Sequence, residues 1–167
     1  IIVWDQQEKY LDRKHVIEAA WNWINMTIPV ISSTFASFSR MCKNLGAETL
    51  GHLFIDEAGQ ALPQAAVGAI YRSRHVMVVG DPLQIKPVLT LDSNTLYMLG
   101  EHFGVTEKYL SASASAQILA DAASQYGFYR KQDKAEDSWV GIPLWVHRRC
   151  RYPMFTISNM ISYDGFM

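Results

Sequence analysis

Leu53-Phe54-Ile55-Asp56-Glu57-Ala58-Gly59-Gln60 is an apolar run that ends abruptly in two acids and a turn containing glycine. The apolar part is too short for a helix and predicts a buried strand. Two adjacent carboxylates at its exit are costly to bury unless a cation or a partner meets them. The same pattern recurs outward from this stretch. Pro29 to Ile31 runs into Ser32-Ser33-Thr34, Val76 to Val79 into Gly80-Asp81, and Ile142 to Val146 into His147-Arg148-Arg149. Helix-compatible stretches alternate with these runs: Asp12 to Met26, Leu62 to Tyr71, Ala116 to Gln125 with Ser115 as its N-cap, and Met154 to Tyr163. Apolar strands alternating with helices predict a parallel sheet covered on both sides, a three-layer α/β domain. Ligands of open parallel sheets bind beyond the carboxyl ends of the strands, so the four polar exits are expected to converge on one edge.

The bulk numbers fit a folded domain. A chain of 167 residues, 49% hydrophobic and 19% charged, can bury a core and is too apolar for disorder. A net charge of -1 supplies no global basic field, so any nucleic-acid site must be local. The two cysteines, Cys42 and Cys150, lack the spacing of a zinc site and do not form a disulfide framework, which suits a reducing cytoplasm. No apolar run approaches the roughly twenty residues of a membrane helix. Ile1-Ile2-Val3-Trp4 reads as a buried strand without an initiator Met, and the chain is expected to be an excised fragment. Arg130 to Asp137 is a mixed-charge run without apolar periodicity and reads as a solvated loop.

Each polar exit has a chemical and a structural reading. Asp56 can hold a cation or cap the following turn, and Glu57 can orient a water or favour the positive end of a helix. Gly80-Asp81-Pro82-Leu83-Gln84-Ile85-Lys86-Pro87-Val88 leaves the Val76 to Val79 run, and its prolines suit it to fixing Gln84 in one pose. Gln84 can then meet a phosphate through its amide donors. Ser33 and Thr34 have hydroxyls suited to phosphate oxygens and Phe35 a ring that can stack a base, while Ser and Thr also cap helices and Phe35 also suits a core. Arg148 and Arg149 form either an anion-binding pair or a solvated basic turn. His15, His52, His75 and His102 have no metal-ligand spacing and read as structural. Cys150, beside Arg149, reads as a small packing residue.

DEAGQ at 56–60 followed by GDPLQIKPV at 80–88 resembles motifs II and III of superfamily 1 helicases of the 1B type. The similarity runs across most of residues 29 to 167, including PVISSTFASFS, SAQILADAASQYG and PLWVHRRC. The branch it is most similar to contains the helicase of nonsense-mediated decay and bacterial AAA-domain DNA helicases. The resemblance implies a partial RecA-like P-loop NTPase core, with residues 1–167 forming the carboxyl-terminal part of the first core domain from about motif Ic to motif IV.

What the resemblance implies residue by residue is a site for ATP and Mg²⁺. Asp56 would coordinate Mg²⁺, Glu57 would polarise the hydrolytic water, and Gln84 would couple the γ-phosphate to movement, with Asp81 supporting that linkage. Gln60 lies within the motif II region. Arg149, or Arg148, would reach the γ-phosphate; the family's commoner Gln-Tyr-Arg departs from His147-Arg148-Arg149. Ser33, Thr34 and Phe35 sit where the family contacts the nucleic-acid backbone. The partners implied are single-stranded or partly duplex DNA or RNA and the rest of the parent helicase, with no membrane.

A complete site also needs the loop G-x-x-x-x-G-K-[ST], and no Gly-Lys pair occurs in this chain. The phosphate-binding loop and the second RecA-like domain are expected elsewhere in the parent, and the chain alone is expected to be inactive. A catalytically silent nucleic-acid- or protein-binding module on the same fold is the rival reading.

Overall fold

The computed structural model describes residues 2–81, 85–89, 91–106, 109–110, 114–132, 135–144, 146, 148–163 and 165. In chain order these hold α1 (Ile2–Asp5), α2 (Lys14–Thr27), α3 (Phe35–Met41), β1 (Leu50–Ile55), α4 (Pro63–Tyr71), β2 (Ser73–Val78), α5 (Ser93–Phe103), α6 (Ala116–Ala123), β3 (Phe128–Gln132), β4 (Ala135–Val140) and α7 (Met154–Ser162). The architecture is mixed α and β. Among the described residues no helix is long and apolar enough to cross a membrane.

β1 and β2 form a parallel pair in which Leu53 faces Val76, Phe54 faces Met77 and Ile55 faces Val78. The crossover between them is α4, opened by Pro63, whose missing N–H suits the first turn of a helix. Arg72, at the end of α4, donates to the carbonyls of Gly68 at 2.8 Å and Cys42 at 2.9 Å, fixing where β2 starts. Ile55, Ala58, Ala66 and Ala116 form a buried cluster with Phe35, Leu53, Ile70 and Val78 packed around it. That cluster covers one face of the pair. On the other face Phe54 and Met77 remain 69% and 57% exposed.

A second core joins α2 to the stretch after α3 through Ile17, Trp21, Cys42 and Leu45, with Trp4 and Leu50 packed against it. The helical stretches read at Asp12 to Met26, Leu62 to Tyr71 and Met154 to Tyr163 are present as α2, α4 and α7. Ser115 caps α6 as expected, its Oγ accepting from the N–H of Ile118 at 3.3 Å.

The expected four parallel strands reduce to two among the described residues. Pro29 to Ile31 is not a strand: Pro29 offers no ladder N–H and Val30 is 82% exposed. The described residues of the run Ile142 to Val146 are not in a strand either, with Pro143 among them and Ile142 and Leu144 exposed, and Trp145 lies outside the described residues. Ile2 to Asp5 is a helical turn rather than a strand, and it sets Trp4 edge-on to Trp21 with ring centroids 5.8 Å apart. Of the run read as a loop at Arg130 to Asp137, residues 130–132 and 135–137 instead belong to the antiparallel pair of β3 and β4, in which Tyr129 faces Trp139, and Asp133 and Lys134 lie outside the described residues.

Candidate functional site at the carboxyl ends of the parallel strands

Past the last paired residues, the two strand exits stay bonded. Val79 donates its backbone N–H to the carbonyl of Ile55 at 2.8 Å, and Ala58 donates to the carbonyl of Val79 at 3.0 Å. Asp56-Glu57 and Gly80-Asp81 therefore leave adjacent strands side by side on one edge. Gly80 is held tightly there: a Cβ built on it would lie 2.6 Å from the Gly59 nitrogen and 2.7 Å from that of Ala58. Only a glycine fits this approach.

Glu57 adopts a left-handed backbone, φ 53° and ψ 37°. That conformation costs a residue with a Cβ about 1–2 kcal/mol and is uncommon outside turns and functional sites. It turns the chain into a short 3₁₀ turn, Ala58–Gln60, whose exit is tied down by the Ala116 N–H donating to the Ala61 carbonyl at 2.8 Å. Ala58 and Gly59 are buried, whereas Asp56, Glu57 and Gln60 are exposed. The desolvation cost expected for the adjacent acids is thus avoided by lifting both carboxylates into solvent.

Asp56 Oδ1 accepts the N–H of Glu57 at 2.9 Å, and Gln60 Nε2 donates to Glu57 Oε2 at 3.2 Å. Asp56 is exposed, and among the described residues its second oxygen has no hydrogen-bond partner. One open carboxylate suits Mg²⁺, which keeps several waters and takes one or two protein ligands beside phosphate oxygens. It does not suit an ion needing a full protein cage, and among the described residues no group of three or more His, Cys, Asp or Glu gathers to form one.

Asp81 accepts a hydrogen bond from the Tyr163 hydroxyl at the end of α7. Gln84 and His147 lie outside the described residues. Arg148 and Arg149 are exposed, and among the described residues nothing draws them to the carboxylate turn. Thr34 caps α3, its Oγ1 accepting from the N–H of Ser37 at 3.3 Å, and Ser33 Oγ donates to the Thr34 carbonyl at 2.9 Å. Phe35 packs against the Ile55 and Ala58 cluster and is engaged in the core. Of the four exits, those at 56–60 and 80–81 are brought together, and Phe35, after the third, packs on the core cluster that includes Ile55 and Ala58.

Two relationships carried no signal in the sequence. Tyr163 lies 82 positions from Asp81. His52 and His75 face each other across the parallel pair with ring centroids 4.9 Å apart, which follows from a strand register that a single sequence does not disclose. Cavities of about 500 Å³ beside α2 and about 150 Å³ near Lys43 have no lining residue from the carboxylate turn. Comparison of the chain with protein-family models, with curated proteins and with solved structures found no match in any of the three.

Proposed function

We propose that this chain supplies the Mg²⁺ and water half of the ATP site in a superfamily 1-like nucleic-acid helicase or translocase, on a three-layer RecA-like core. The observation that carries this reading is the bonded juxtaposition of Asp56-Glu57 with Gly80-Asp81 at the carboxyl ends of neighbouring parallel strands. That edge is where open parallel sheets bind ligands. The second oxygen of Asp56 would hold Mg²⁺, which when bound neutralises charge on the phosphates. Glu57, oriented by Gln60 and by its own left-handed backbone, would take a proton from the attacking water.

Gln84, Arg148 and Arg149 complete the reading as phosphate-sensing groups, and Ser33 and Thr34 as contacts to a DNA or RNA backbone. The two thiols suit a cytoplasmic setting. A phosphate-binding loop and a second core domain would come from outside these residues. A catalytically silent binding module is the second reading, and one observation favours it: Asp56 Oδ1 accepts from the N–H of the next residue, Glu57, a local backbone contact that needs no ligand. The two separate in a nucleotide-affinity measurement on the full protein. Asp56→Asn should weaken binding of ATP in the presence of Mg²⁺ and leave Mg²⁺-free binding unchanged. A silent module shows no Mg²⁺-dependent binding to lose.

A further inference from the structure

The contacts of Asp81 extend the carboxylate turn to a distant part of the chain. Gly80 is wedged against the backbone of Ala58 and Gly59, with no room for even a methyl group. A shift of the 56–60 turn is therefore passed to Gly80, and so to Asp81, by steric contact. Asp81 accepts from the Tyr163 hydroxyl across 82 residues of sequence. Tyr163 is the C-cap of α7, where its N–H donates to the Asn159 carbonyl at 2.9 Å. Asn159 is the buried residue of this helix, while Ile157, Met160 and Ile161 are 54%, 69% and 77% exposed. The Tyr163 hydroxyl thus ties the end of α7 to the exit of β2.

We propose that Tyr163 is a positioning residue that links the nucleotide-site loop at Asp81 to helix α7, so that a change at the carboxylate turn is transmitted to the chain carrying Arg148 and Arg149. This rests on the function proposed above and deepens it by naming a route of coupling. The physical requirement is a contact that can be made or lost with the state of the site, and a charge-assisted hydrogen bond between a phenol and a carboxylate meets it. Tyr163→Phe removes the hydroxyl and keeps the ring, so it tests the bond without emptying the space.

The experiment uses the full protein with 3-fluorotyrosine at position 163, read by fluorine NMR, alongside steady-state ATPase kinetics. The resonance should move on Asp81→Asn, and should move on addition of Mg-ATP in the wild type. Tyr163→Phe and Asp81→Asn should each lower kcat on the order of tenfold, with KM held within about twofold. The double variant should be no worse than Tyr163→Phe alone, because Asp81→Asn takes the charge from a bond whose donor Tyr163→Phe has already removed. A resonance blind to Asp81→Asn, multiplying losses in the double variant, or a resonance unmoved by Mg-ATP in a protein that hydrolyses it would each overturn the link. A resonance that senses Asp81→Asn in a protein without any ATPase activity would preserve the hydrogen bond, defeat the function proposed above, and take the coupling role with it.

Discussion

Ala58 donates its backbone N–H to the carbonyl of Val79 at 3.0 Å, carrying the parallel ladder beyond the ends of both strands. This bond fixes the spacing between the acidic exit of β1 and the glycine exit of β2. It holds Asp56 and Glu57 up from a buried floor made of Ala58 and Gly59, so the site combines an exposed chemical edge with a rigid base. Rigidity of this kind is what a water-orienting carboxylate needs.

Gly80→Ala tests that base. The added methyl meets the Gly59 and Ala58 nitrogens at 2.6 and 2.7 Å, backbone atoms that cannot rotate away. The obstacle is space, because Gly80 is not in the left-handed region. The variant should lose about 1–3 kcal/mol in urea unfolding. Unfolding unchanged from wild type would mean the two exits are not held as described.

Sequence patterning disclosed the parts whose signals are local. Asp12 to Met26 carries an apolar stripe at helical spacing, and Ser115 stands where a cap must stand. The acidic and glycine exits after β1 and β2 were legible because strand and turn chemistry lie within a few residues of each other. Pro29 to Ile31 and Ile142 to Val146 misled because a short apolar run shows hydrophobicity without showing that a partner strand will cover it. The β3 and β4 pair was hidden by its charges, although Tyr129 and Trp139 at its flanks were the cross-strand aromatic pair that gives it away. α5 carries two signals of its own, the N-cap Asp92, whose Oδ1 accepts from the Thr95 N–H at 3.0 Å, and Gly104 in the left-handed conformation at its end.

Asp121 should make stability depend on pH. Burial raises its carboxyl above the ordinary 3.8, against the opposing hydrogen bonds from Gln117 at 3.1 Å and the Gly141 N–H at 3.2 Å. A carboxyl with a raised folded-state pKa favours folding most where it is protonated. Its contribution is full below 3.8 and is lost as pH rises through the raised value. Asp121→Asn keeps an oxygen for both donors and does not titrate. Its stability relative to wild type should therefore climb from acid to neutral pH in a urea series, and a pH-independent difference would contradict this.

The two cysteines should separate cleanly in thiol labelling. Cys42 is 1% exposed, and burial pushes its thiol up to about 11 against the opposing charge of Arg72. Cys150, read from sequence as a packing residue, is exposed. At pH 8 the native protein should label at Cys150 and become reactive at Cys42 only on unfolding. Rapid native labelling at Cys42 would show that the core around Ile17 and Trp21 is open.

The most direct test of the central proposal is steady-state ATPase activity of the full protein, with and without single-stranded DNA or RNA, comparing wild type with Glu57→Gln. The amide retains the size and the contact to Gln60 but cannot accept a proton from water. Strand-stimulated turnover in the wild type, reduced on the order of 10²- to 10⁴-fold in Glu57→Gln, is the predicted result. Turnover that survives the substitution would contradict the role of Glu57, and a folded protein that hydrolyses no ATP with either strand would replace the motor with the silent binding module.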